Sequence, residues 1–132
     1  MRSFLEIRAV YENNPDALTL AGPLSVNCDG DTLLHLAAFR GNERDVLDLA
    51  ALGADINAAG DLGYRPLHYA AMCGHFGVVS ALLSLGARHD LTNEYGDTPV
   101  RMAERKHPKI AALLRSSRRR RRARPTISDW LA

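Results

Sequence analysis

The chain has 132 residues, 46% hydrophobic and 24% charged, with a formal net charge of +2. Those values fit one globular domain, long enough to bury a core without disulfide staples. No apolar run approaches the roughly 20 residues that cross a bilayer, and Glu6 and Arg8 break the first apolar stretch, so neither a transmembrane segment nor an export leader is expected.

The small net charge hides a split. Residues 1–100 hold six basic and thirteen acidic side chains, a net of −7, whereas residues 101–132 hold eleven basic and two acidic, a net of +9. Such asymmetry suggests separate tasks for body and tail. Arg outnumbers Lys 15 to 2, which source base composition explains as well as function does. Cys28 and Cys73 match no zinc spacing and read as two small, reduced thiols. A cytoplasmic location is expected, or a nuclear one if the source is eukaryotic and the Arg run is an import signal.

In chain order, residues 3–12 form an amphipathic segment (Phe4, Leu5, Ile7, Val10, Tyr11) and residues 15–20 a second short helix. With Val26-Asn27 echoing Ile56-Asn57, residues 1–26 read as a degenerate N-terminal cap. From there the chain repeats every 33 residues. Thr32-Leu33-Leu34-His35-Leu36-Ala37-Ala38 recurs as Arg65-Pro66-Leu67-His68-Tyr69-Ala70-Ala71, and more weakly as Thr98-Pro99-Val100-Arg101-Met102-Ala103-Glu104. Gly30, Gly63 and Gly96 keep the step, as do Gly41 and Gly74, and Gly53-Ala54 and Gly86-Ala87. Within a unit, Thr32 or Thr98 is an N-cap, Pro66 or Pro99 sits at the first helical position, and Gly41 or Gly74 ends the helix. A second helix follows, carrying Val46 and Leu49, then Val78, Val79, Leu82 and Leu83, and ending at Gly53 or Gly86. The units are residues 27–59, 60–92 and 93–115, the last a C-terminal cap whose Glu104, Arg105, Lys106 and Lys109 give it a polar outer face.

These residues resemble the ankyrin repeat. Its Thr-Pro-Leu-His-x-Ala signature stands here as Thr32-Leu33-Leu34-His35-Leu36-Ala37 and Arg65-Pro66-Leu67-His68-Tyr69-Ala70, and its Gly-Ala-Asp-x-Asn ending as Gly53-Ala54-Asp55-Ile56-Asn57. Arg65 departs from the capping Thr, Arg101 from the His, and Lys106-His107 has lost the glycine and one residue. The resemblance implies an all-α solenoid of helix–turn–helix units joined by hairpin-like turns. It also implies that His35, His68 and His75 make structural hydrogen bonds between units rather than serving as catalytic groups or metal ligands. His89 and His107 read as exposed. No nucleophile triad, carboxylate pair or phosphate loop stands out, so no enzyme activity, cofactor or metal is expected.

The family's binding surface comprises the turn tips and the inward face of each first helix. It maps here to Cys28, Asp29, Asp31, Phe39 and Arg40 in the first unit. The second contributes Asp61, Leu62, Tyr64, Met72 and Cys73, and the third Glu94, Tyr95, Asp97 and Arg105. Large apolar groups and acids alternate there, which suits a partner protein with a basic or mixed surface. Two plainer readings compete: Phe39 and Met72 pack against neighbouring units, and the tip acids hydrogen-bond their own turns.

Residues 116–132 form an Arg-rich tail expected to be unfolded. The run Arg115, Arg118, Arg119, Arg120, Arg121, Arg122 and Arg124 has four readings: a solvated tail, an anchor for nucleic acid or another anionic surface, a nuclear import signal, or a strap on the acidic groove of the same or another copy. Beyond it, Ile127, Trp130 and Leu131 read as an apolar cluster for docking on the last unit or on another protein.

Overall fold

Six of the seven helices among the described residues follow the repeat register. The computed structural model describes residues 3–11, 20, 22–27 and 29–123, with only the backbone from residue 118. In it, α1 spans Phe4–Ala9, α2 Leu33–Arg40, α3 Glu43–Ala51, α4 Pro66–Cys73, α5 Phe76–Ser84, α6 Pro99–Ala103 and α7 Pro108–Ala123, with a short 3-10 turn at Asp61–Gly63. No strand occurs among the described residues, and the stack is helical throughout. The expected helix at residues 15–20 falls largely outside the described residues.

The pairs stack in sequence. First helices α2, α4 and α6 pack side by side, and second helices α3, α5 and α7 form the layer behind them. Alanines make close approach possible: Ala37, Ala38, Ala70, Ala71 and Ala103 are all buried between helices. Leu33, Leu34, Leu67, Val46, Leu49, Val79, Leu82, Ile110 and Leu114 fill the rest of the core. At the N-terminal end Ile7, Tyr11 and Leu20 are buried, with the Tyr11 hydroxyl donating to Asp45 Oδ2 at 2.8 Å.

Imidazoles tie the units together in two rows. Backbone N–H groups of Thr32 and Arg65 donate to Nδ1 of His35 and His68, each at 3.0 Å. That leaves Nε2 as the donor. His35 gives it to the Ala58 and Tyr64 carbonyls (2.9 and 3.0 Å), and His68 to the Asp97 carbonyl (2.9 Å). In the second row His75 Nε2 reaches the Phe39 carbonyl at 2.9 Å and His107 Nε2 the Met72 carbonyl at 3.2 Å. Gly41 and Gly74 are needed twice over in that row. Each takes a left-handed φ (+78° and +79°), and each leaves no room for a Cβ beneath the facing imidazole.

Three expectations change. His107 is not exposed but occupies the place of His75, because the one-residue deletion before it shifts the register from 33 to 32. His89 is 7% exposed rather than solvated. The last helix also runs past residue 115 through Arg118–Arg122 to Ala123. With the shifted register, Arg118 stands where Gly53 and Gly86 end the earlier helices at φ +99° and +90°. Arg is a good helix former, so without that glycine the helix simply continues. Residues 124–132, with Arg124 and the Trp130 cluster, lie outside the described residues.

Candidate functional site

The turn tips are built by asparagine. Asn27 Oδ1 accepts from the amides of Asp29 and Asp31, both at 3.0 Å, and Asn93 Oδ1 from those of Tyr95 and Asp97 at 2.9 and 3.0 Å. Backbone bonds from Asn27 to Asp31 and from Asn93 to Asp97 close these loops. The middle tip has Gly60 in that place and no such clamp. Its amide donates to the Tyr64 carbonyl at 2.7 Å, and Leu62 is driven into the left-handed region at φ +53°. A leucine there costs about 1–2 kcal/mol, yet its side chain is 42% exposed. Strain of this kind persists only where the surrounding structure holds it in place. Leu62 also accepts the Glu94 amide at 2.9 Å, joining the second and third tips.

Aromatic rings line the strip beside the tips. Tyr69 is its centre: Tyr64 packs against it at 5.2 Å between centroids, and Phe39 and His35 meet it edge to face at 5.9 and 5.8 Å. The Tyr69 hydroxyl donates to the Asp31 carboxylate, 3.2 Å from each oxygen. Burial first, and then Asp31, raises the Tyr69 pKa, so the phenol keeps its proton. Burial likewise raises that of Tyr64, helped by Tyr95, Asp97 and Asp61. Phe39 is 51% exposed and Tyr95 65%. Sequence reasoning passed over Tyr69. The signal for it was the aromatic at the variable position of the signature, where the first unit has Leu36.

The acids divide into two groups. Asp31 turns inward: it is 8% exposed, and its Oδ1 accepts the Asp61 amide at 2.9 Å as well as the Tyr69 hydroxyl. Asp97 is half-buried, uses its carbonyl for His68 and faces Arg101 at 3.5 Å. Asp29 and Glu94 are exposed and Asp61 is half-exposed along the rim. Among the bases, Arg40 lies over the Tyr11 ring at 4.6 Å and so covers the N-terminal end of the core. Arg105 is exposed, and Arg115 is exposed and pairs with Glu104 at 3.1 Å. Met72 and Cys73 are half-buried at the end of α4, and burial raises the Cys73 thiol pKa, which favours the protonated thiol. Cys28 lies outside the described residues. For Arg118–Arg122 only a helical backbone is described.

Chemically the strip presents aromatic rings beside carboxylates. Its histidines have both ring nitrogens bound to backbone, and burial lowers the pKa of His35 and His68, so both are neutral at pH 7. Among the described residues no group of three His, Cys, Asp or Glu side chains could hold a metal ion, and no helix is long and apolar enough to cross a membrane.

Comparison with known proteins agrees with the register. The sequence pattern described as "Ankyrin repeats (3 copies)" matches residues 34–126. The chain is 32% identical over 93 residues to protein phosphatase 1 regulatory subunit 27 of Homo sapiens, covering 70% of this chain and 60% of that one. It is 40% identical over 75 residues to an ankyrin and IPT/TIG repeat-containing protein of Schizosaccharomyces pombe, covering 57% of this chain and 6% of that protein. It is 38% identical over 105 residues to the E3 ubiquitin-protein ligase Ufd4 of Drosophila melanogaster, covering 73% and 4%. The chain thus spans less than two-thirds of the length of these relatives.

Proposed function

The chain belongs to the ankyrin-repeat family, whose repeats generally mediate protein–protein interaction, and from that premise we propose that it is a protein-recognition module. Its partner binds the strip formed by Phe39, Tyr64 and Tyr69 together with the tip residues Leu62 and Tyr95. The rim acids Asp29, Asp61 and Glu94 select a basic or mixed partner surface and speed encounter with it. The observation that carries this reading is the exposed, strained Leu62 beside a continuous run of aromatic rings. Aromatic anchors in such a position dominate binding energy at protein interfaces. The chain acts by occupancy rather than by turnover, since His35, His68, His75 and His107 are committed to bonds between repeats.

The name of the human relative makes protein phosphatase 1 a partner worth testing directly. Capture from source lysate, and of purified protein phosphatase 1, should be compared for the intact chain and for F39A/L62A/Y95A. All three side chains are about half exposed or more, so the variant is expected to keep its circular dichroism and its unfolding transition. Loss of a captured protein with the triple variant supports the reading. Capture that survives the variant but disappears in high salt contradicts it and points to the Arg-rich helix.

A further inference from the structure

The two edges of the solenoid carry opposite charge. The tips lie at the N-terminal ends of the first helices. About 12 Å away, at their C-terminal ends, the junction of α6 and α7 meets the start of α5. A surface cavity of about 630 Å³ opens there, lined by Phe76, Pro108 and Ile110 together with Lys106 and Lys109. Phe76 is 48% exposed and Ile110 is buried at 3%. No carboxylate lines this cavity. The nearby Glu104 is engaged by Arg115 at 3.1 Å, and neither lysine has an ion pair among the described residues.

The opposite edge matches it group for group. Asp61 and Glu94 flank Leu62 and Tyr95, and the Glu94 amide bond to the Leu62 carbonyl at 2.9 Å fixes the two tips as one unit. Neither carboxylate has an ion pair among the described residues. Two apolar side chains and two acids on one edge therefore face an apolar cavity with two lysines on the other. We propose that the occupant of the cavity is a second copy of this chain, with the second and third tips of one molecule seated against Phe76 and Pro108 of the next. Because the contact joins two different patches, it does not close on itself and adds copies head to tail. It rests on the tips being a recognition surface, and it makes self-association a competitor of partner binding. A contact of two tips and one cavity is small, below the roughly 1,200 Å² of lasting complexes, so it is expected to be weak and to need high protein concentration.

Sedimentation of the full chain tests this. Near 500 µM and about 50 mM salt, the weight-average mass should rise with concentration above 14.5 kDa and return toward it at about 500 mM salt. K106E/K109E removes the cavity charges and D61K/E94K those of the tips, and each variant alone should stay monomeric. Mixed in equal amounts, they should associate again, since the intact tips meet the intact cavity and the two reversed patches complement each other. A monomeric intact chain overturns the proposal, as does association of either variant alone or a mixture that remains monomeric. K106E/K109E keeps its tips, so it should still capture the protein partner. Failure of self-association with capture intact therefore separates this inference from the recognition reading.

Discussion

Gly60→Ala should be among the costliest single-methyl changes in the chain, for a reason unrelated to glycine's flexibility. Its φ is −102°, which any residue adopts. The space is what is missing: an added Cβ would overlap Asp31 Oδ1 and stand 2.8 Å from His35 Nε2. Either the carboxylate or the imidazole must move, and both are bound. Asp31 holds the Asp61 amide at 2.9 Å, and His35 holds the Ala58 and Tyr64 carbonyls at 2.9 and 3.0 Å. Overpacking costs about 1–3 kcal/mol, and a lost hydrogen bond about 0.5–1.5 kcal/mol. Together they give about 1.5–4.5 kcal/mol, a large share of the roughly 5–15 kcal/mol that holds a domain of this size. Gly53→Ala is the control. Gly53 has φ +99° and nothing within 4 Å, so its cost is conformational alone, about 1–2 kcal/mol. Urea unfolding followed by circular dichroism measures both. A Gly60→Ala loss below about 0.5 kcal/mol, or smaller than that of Gly53→Ala, would refute the claim that Asp31 and His35 are locked against this glycine.

Other perturbations bear on separate parts of the account. Leu62→Asn relieves the left-handed strain and should stabilise the fold by about 1 kcal/mol while weakening partner capture; a loss of stability contradicts the strain argument. Burial lowers the pKa of His35 and His68 in the folded chain. The unfolded chain therefore binds more protons just below about pH 6.5. Stability should be full above that pH and fall as the pH drops below it, read as a decreasing urea midpoint between pH 7.5 and 5; a flat or rising midpoint is the opposing result. Arg118→Gly restores the missing terminator and should shorten α7, with a fall in helical circular dichroism and an unchanged unfolding midpoint. If helicity is unchanged, the glycine substitution is not what lets this helix run on.

Much of the fold could be read from the sequence because the landmarks are backbone requirements. The repeat glycines at 30, 41, 53, 63, 74, 86 and 96 all have positive φ, and a conformation that only glycine adopts freely leaves a visible residue at a fixed step. His35, His68 and His75 were legible for the same reason, since each bond has a set place in the unit. What escaped depends on the neighbour rather than on the residue. Asp31 reads as a tip acid, but its inward turn follows from Gly60, twenty-nine positions later, having no side chain. Leu62 was legible as an apolar tip residue, whereas its strain follows from the missing asparagine clamp in that same tip. Tyr69 looked like an ordinary member of a helical signature until the contacts with Phe39, Tyr64 and Asp31 placed it at the centre of the strip. His107 was missed through a one-residue slip in register, and the same slip hid Arg118 as the residue in place of the helix-ending glycine.

The central claim is that partner binding is carried by the tips and the aromatic strip. Hydrogen exchange of the chain alone and saturated with its captured partner tests it most directly. The account predicts slowed exchange at residues 29–31, 61–64 and 94–97 and at the C-terminal turn of α2, with α3 and α5 unchanged. Protection confined to α7, or spread over α3 and α5 with the tips unaffected, would contradict it.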